Sequence, residues 1–423
     1  MDERVSEYLR KHKEDQLAFL KSLIRADTTI ERQGESGKEM NGQVLIRKRL
    51  ESIGMDVDVF EPDESRLETY KEMNRGHDYK DRPNVVGVLK GTGNGRSIVL
   101  NGHIDTMPFD NLDEWHAHPL DPVVKDGKLY GRGSCDMKAG LAACVLAVEA
   151  LVHSGVRLKG DVILQSVVDE EGGGNGTLAC IERGYTADGA IFAEPTELNI
   201  MPAHMGFLFY RIVVRGKALH SAMKWRGVSA IEKMMKIMQA LQELERRWAI
   251  EKRHTLLPPP TISFGTIHGG LAGSIVPDEC RLELTVHYLP ADADEHFLGG
   301  RVEEEILETI EGVVQADRWL KDNRPEIVNY QQGGGYEIDP RHPLVQVLAD
   351  CCREEEGKEP VIRGAEFGCD ARLLNNYGRT PSVIFGPGSI ERAHSINEYV
   401  EIDQYYKCIS ILANLLIQWC GRE

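Results

Sequence analysis

Five short stretches of this 423-residue chain place imidazoles and carboxylates at predicted turns. They are GHIDT (His103, Asp105), GRGSCDMKAG (Asp136), DEEGG (Glu170, Glu171), EPT (Glu194) and RAHSINE (His394). Imidazole nitrogen and carboxylate oxygen are donors that Zn²⁺ and similar divalent ions accept. His103 and Asp105 stand two residues apart, so on an extended chain they share one side. Each stretch also has an ordinary reading. His103 could be satisfied by its neighbour in a polar loop, and Asp136 could cap a helix. Adjacent glutamates such as Glu170 and Glu171 are common on solvated faces, and His394 could be a plain loop histidine.

The surrounding pattern supplies elements to hold these residues. Helices are predicted at 3–24 and 41–53, followed by the strand MDVDVF. Residues 62–82 are charged and read as an exposed excursion. NVVGVLKG and RSIVLNG flank TGNG and read as a hairpin; no helix opens after that turn, so it does not fit a dinucleotide-binding loop. A helix at 138–153, the strand of GDVILQSVVDEE, a helix at 176–184 and the strand of DGAIFAEPT complete a helix–strand alternation. This pattern predicts an α/β sheet covered by helices. Ligands in such sheets bind at the carboxyl ends of strands, where His103, Glu170, Glu171 and Glu194 fall.

From about residue 205 the pattern changes. The strand GFLFYRIVVRGKALH precedes a helix with Met234, Ile237, Met238, Leu241, Leu244 and Trp248 at helical spacing, a packing stripe. Two strands, an acidic helix at about 292–319 and the strand EIVNYQQ follow, a β-α-β-β-α-β order of ferredoxin-like type. From about 340 helices and a strand resume. The expected division is therefore residues 1–203 and 335–423 in one domain, with 204–334 inserted into it and hinges near 203 and 335.

Bulk properties narrow the function. The formal net charge of −17 disfavours nucleic acid and anionic membrane as partners. The longest apolar run, LAACVLAVEALV, is too short to span a bilayer and contains Glu149. The N-terminal stretch reads as a charged amphipathic helix rather than a signal peptide. Nine dispersed cysteines without a C-x-x-C pair fit reduced thiols, and a cytoplasmic protein is expected.

In order and local context, the five stretches resemble the co-catalytic zinc amidohydrolases, the family of acetylornithine deacetylase, succinyl-diaminopimelate desuccinylase, aminoacylase and glutamate carboxypeptidase. The resemblance covers essentially the whole chain. It implies a three-layer α/β catalytic domain of zinc-exopeptidase type, with an inserted ferredoxin-like α+β domain acting as lid and dimerisation element. It implies two Zn²⁺ per subunit, replaceable by Co²⁺ or Mn²⁺. His103 and Glu194 would hold one ion, His394 and Glu171 the other, and Asp136 would bridge them. Glu170 would be the general base, and Asp105 would orient His103 through its other ring nitrogen. His220, in GKALHSA, would help stabilise the oxyanion in the site of a neighbouring subunit, which implies a homodimer formed through the inserted domains.

The implied reaction is hydrolysis of the amide in a small N-acylated amine or amino acid. Two departures bear on the substrate. Ser274 stands where many relatives carry Asn, and His287 where many carry an Arg able to grip a carboxylate. Arg372 or Arg392 could take over that contact; equally, the substrate could lack a carboxylate, which keeps a deformylase or deacylase of a carboxylate-poor amine in view. Asp370, in the same stretch as Arg372, reads as structural. A two-metal phosphoesterase would usually bring Arg or Lys clamps, and none of the ligand stretches is flanked by a basic pair. A non-catalytic metal-binding relative would be expected to lack the base or a ligand, and all are present.

Overall fold

The computed structural model describes residues 2–423. The chain forms two compact units: Met1–Ala203, Ile338–Ala365 and Cys369–Glu423 in unit 1, and His204–Glu337 with Glu366–Gly368 in unit 2. In chain order, the strands of the two larger sheets are β1 (Asp56–Phe60), β2 (Asn84–Leu89), β3 (Ile98–His103), β4 (Val162–Val167), β5 (Ala190–Phe192), β6 (Gly206–Arg215), β7 (Thr261–Gly269), β8 (Glu279–Tyr288), β9 (Glu326–Gly333) and β10 (Ser382–Ile384).

The unit 1 sheet has the order β10-β5-β3-β4-β2-β1. The neighbours β10, β5, β3 and β4 run parallel, while β2 and β1 are antiparallel additions. Both faces are covered, which is why β3 and β4 are buried at every position instead of alternating. Asn101 of β3 bonds Thr177 in the helix Asn175–Glu182 on one face. A Cβ on its neighbour Gly102 would instead meet Leu141 of α1 (Lys138–His153) on the other. Most of α1 is apolar and buried, as a central helix of a large core must be.

The sheet overturns the expected hairpin. β4 lies between β2 and β3, antiparallel to the first and parallel to the second. The Gly-rich turn is there for a different reason: it passes over the segment entering β4. Thr92 N–H donates to Leu158 O and Gly93 N–H to Lys159 O, at 2.9 Å each. A Cβ on Gly91 would come within 2.3 Å of Lys159 O.

Two long predicted helices are interrupted. The first breaks at His12, between Glu3–Lys11 and Lys13–Arg25, where His12 leaves helical geometry (φ −108°, ψ 18°). The acidic one starts only at Gly300, because the Asp294 carboxylate accepts the N–H groups of His296 and Leu298 and so holds a turn. It breaks again at Asp317, whose side chain caps Arg318–Asp322.

Unit 2 is a four-stranded antiparallel sheet of order β7-β8-β6-β9. The helices α2 (Ala230–Glu251) and α3 (Gly300–Ala316) complete the β-α-β-β-α-β pattern. Met234, Ile237, Leu241, Leu244 and Trp248 of α2 pack with Leu208, Tyr210, Ile212 and Val286 of the sheet in one core, as their spacing predicted.

Candidate metal and catalytic site

The site lies at the carboxyl ends of the parallel strands of unit 1. β3 ends on His103, β4 runs into Asp169-Glu170-Glu171, β5 into Glu194, and Asp136 precedes α1 by two residues. Close packing brings the last two together. A Cβ on Gly140, in the first turn of α1, would fall 1.8 Å from the carbonyl oxygen of Ala193, so only glycine lets the helix approach there.

His103 is buried. Its Nε2 lies 3.1 Å from Asp136 Oδ1 and 4.0 Å from both Glu170 Oε2 and Glu194 Oε2. His394 arrives from a loop after β10, half exposed. Its Nε2 lies 2.9 Å from Glu171 Oε1 and 3.2 Å from Asp136 Oδ2. Asp136 therefore presents one oxygen to each imidazole.

Asp105 meets His103 with both its main chain and its carboxylate. The nearest partner of His103 Nδ1 is the Asp105 main-chain carbonyl, at 2.9 Å, with the carboxylate at 3.5 Å. That carboxylate accepts the N–H groups of Glu170 (3.3 Å) and Glu171 (3.0 Å). Asp105 thus contacts the histidine through its carbonyl and carboxylate, and the same carboxylate holds the glutamate turn.

The electrostatics are those of an acidic cluster around two imidazoles. Burial disfavours a charged His103, but Asp105 and Asp136 hold its pKa well above the usual imidazole range. Hydrogen bonds to Asp136 and Glu171 push His394 up to about 10. Burial, with the neighbouring carboxylates, pushes Glu170 and Glu194 well above the usual carboxylate range. The cluster is crowded with negative charge that a bound cation would offset. Nitrogen and oxygen donors of His103, Asp136 and Glu171 lie within 4.8 Å of one another, and the donor set fits a divalent ion.

Some supporting residues carried no signal in the sequence. Glu398 is buried and accepts N–H groups from Gly133 (3.1 Å), Cys135 (2.8 Å) and Asp136 (3.1 Å), besides a 2.7 Å contact from Arg132. It fixes the backbone that presents Asp136. Residues 62–82 are not simply an exposed excursion: Leu67, Glu72, Tyr79 and Arg82 are buried. The ordinary hydrophobic pattern fails there because charged residues are buried as pairs, Arg82 with Glu39 and Glu72 with Arg372.

Arg372 is therefore not an available carboxylate grip. Its guanidinium is 5% exposed and bonds Glu72 Oε2 (2.6 Å), Cys369 O (2.7 Å) and Gly173 O (3.4 Å). Asp370 is buried and accepts from Thr177 Oγ1 at 2.6 Å, a structural contact.

The other three named residues belong to unit 2. His220 and Ser274 are neighbours there: His220 forms a β-bridge with Ile275, and Ser221 N–H donates to Ser274 O at 2.8 Å. His220 Nδ1 accepts the Ala222 N–H at 3.2 Å, which leaves its proton on Nε2. His287 lies on β8, opposite Phe207 of β6 and Thr261 of β7. Burial lowers its pKa, so it is neutral at pH 7.

An α/β sheet whose strand ends and following loops gather two histidines and several acids fits a divalent-metal site. Residues 99–418 match the model of peptidase family M20/M25/M40, and the chain belongs to that family. It is 34% identical to the N-formyl-4-amino-5-aminomethyl-2-methylpyrimidine deformylase of Halalkalibacterium halodurans, over 99% of this chain and 97% of that one. It is 32% identical to acetylornithine deacetylase of Myxococcus xanthus, over 81% and 85%. In fold it is similar to a tripeptidase from Staphylococcus aureus, with a TM-score of 0.75 at 20% identity, over 96% and 98% of the two chains. The chain is thus a metal-dependent amidohydrolase of α/β fold.

Proposed function

We propose that the protein hydrolyses the amide of a small N-acyl amine at the unit 1 site, with two divalent ions, zinc being the first assignment. His103 and Glu194 would hold one, His394 and Glu171 the other, and Asp136 would lie between them. The observation that carries this reading is the meeting of His394 with Glu171 and Asp136, at 2.9 and 3.2 Å. Such ions supply Lewis acidity, making water more acidic and the acyl carbonyl more electrophilic. Glu170 is the proton carrier: its Oε2 takes a proton from the attacking water and passes it to the leaving nitrogen as the C–N bond breaks.

Two observations favour an N-formyl or other carboxylate-poor amine over an N-acyl amino acid. A relative matched over nearly its whole length is named for deformylation of an aminomethylpyrimidine. His287 is neutral and Arg372 is committed to Glu72, so neither supplies a guanidinium clamp, and of the candidate positions only Arg392 still could.

The test is to supply Zn²⁺, Co²⁺ or Mn²⁺ and assay N-formyl-aminomethylpyrimidine beside N-acetylornithine and N-succinyl-diaminopimelate. Formate release from the first, abolished in Glu170→Ala with bound metal unchanged, is the expected result. Full turnover by Glu170→Ala ends the mechanism, and preference for the acetyl or succinyl amino acid ends the substrate reading.

A homodimer through unit 2 is part of the same proposal. β7 is an edge strand, and Ile267 on it and Leu271 just after it are exposed, an apolar edge that a second copy could cover. His220, with its proton on Nε2, is assigned to donate toward the oxyanion in the neighbouring copy. No helix among the described residues is long and apolar enough to cross a membrane, and nine free, buried cysteines support a reducing compartment such as the cytoplasm.

A further inference from the structure

The turn that carries Glu170 and Glu171 is held from two directions. Asp105 takes the N–H groups of both glutamates on one side. On the other side, residues 72–82 grip the turn at both ends. At its start stands Asp169, fully buried and in the left-handed region, with φ +66°. That backbone is unfavourable for a residue with a side chain and must be held by its surroundings. His77 Nδ1 donates to Asp169 Oδ2 at 3.0 Å, Tyr79 Oη to the same oxygen at 2.6 Å, and Arg82 Nη2 reaches Oδ1 at 3.4 Å. Arg82 is mainly engaged with Glu39 and two carbonyls. His77 and Tyr79 are therefore the main anchors of the Asp169 side chain. The Asp169 carbonyl closes the turn by accepting the N–H groups of Gly173 (3.1 Å) and Gly174 (2.7 Å).

At the far end, Asn74 Nδ2 donates to Gly173 O at 3.0 Å. Asn74 and Asn175 also exchange two bonds, Asn74 N–H to Asn175 Oδ1 (3.0 Å) and Asn175 Nδ2 to Asn74 O (2.7 Å). Asn175 Nδ2 also reaches Tyr79 Oη at 2.7 Å, so the two ends share one network.

We propose that the 72–82 segment is a positioning clamp for the catalytic turn, and that His77 is a positioning residue which acts on Glu170 through Asp169. His77 itself lies outside the site and touches no reacting atom. The proposal rests on the hydrolytic role given to Glu170 above. A small displacement of a proton carrier costs turnover far more than substrate affinity.

The experiment uses metal-loaded wild type, His77→Ala and His77→Asn; the Asn amide places an N–H where Nδ1 stands. Two quantities are measured: kcat and KM on the N-formyl amine, and amide hydrogen exchange of the peptide spanning residues 170–174. In His77→Ala, kcat is expected to fall about 10- to 100-fold with KM within about twofold. Exchange at Gly173 and Gly174 is expected to quicken, and His77→Asn should recover both. Unchanged kcat and exchange in His77→Ala overturn the clamp. So does an Asn variant as impaired as the Ala variant, which would mean that bulk and not the hydrogen bond matters. If Glu170→Ala leaves turnover intact, the hydrolytic reading fails, while the exchange measurement still decides the clamp.

Discussion

His394 Nε2 lies 2.9 Å from Glu171 Oε1 although 223 residues separate them in the chain. The two come from different strand ends, β4 for Glu171 and the loop after β10 for His394. Both converge on Asp136, and unit 1 must be fully folded for them to meet. Because His394 is half exposed, it can be replaced without opening the core. His394→Ala is expected to keep the fold and to weaken binding of one of two divalent ions by on the order of 100-fold or more, the scale set by the loss of lesser metal-supporting contacts. Metal content after dialysis reads this directly. Wild-type stoichiometry at limiting free metal would remove His394 from the ligand set.

Glu398 makes a separate prediction because it touches the Asp136 backbone and not its carboxylate. Arg132 and Glu398 are 5% and 1% exposed. Glu398→Gln keeps the shape but leaves Arg132 without its anion, which costs about 3–5 kcal/mol for a buried pair. Chemical denaturation should show the loss, and metal affinity should fall with it as the 133–136 backbone loosens. A variant as stable as wild type would mean that Arg132 finds another acceptor.

Unit 2 offers a pH test remote from the site. Asp317 is buried, which alone would raise its pKa, but hydrogen bonds from Lys233 and Lys236 hold it well below the usual aspartate range. A carboxyl whose folded pKa lies below its unfolded value stabilises the fold above the unfolded value, about 3.9, and that contribution disappears as pH falls toward the folded one. Asp317→Asn can still cap Trp319 and Leu320 but lacks the charge. It should be about 1–3 kcal/mol less stable than wild type at pH 7, with the gap closing below about pH 4. Urea melts of both proteins at pH 7, 5 and 3.5 check this; a gap independent of pH would place the effect in packing.

The candidate residues that the sequence makes legible are those whose signal is local. His103, Asp136, Glu170, Glu171 and Glu194 each sit within a few residues of a strand or helix end, and strand periodicity marks those ends. The β-α-β-β-α-β order of unit 2 was legible for the same reason, since α2 and the strands around it carry regular apolar spacing. Local patterns failed where a longer-range choice decided the outcome. TGNG was compatible with a hairpin, but β4 offered edges to both β2 and β3 and came between them. Residues 62–82 read as solvated charge because nothing near Arg82 or Glu72 announces their partners, Glu39 and Arg372.

The amino-acid sequence by itself determined the chemical inventory, the strand ends that display it and the two-part organisation of the chain. Only tertiary structure decided that Asp105 braces the glutamate turn, that Glu398 holds the Asp136 backbone, that Arg372 is spent on Glu72, and that His77 reaches Asp169. Turn and strand signals are written in neighbouring residues. Hydrogen bonds between buried charges depend on which distant segments the fold stacks together, and burial makes each of those pairings costly to leave unmade.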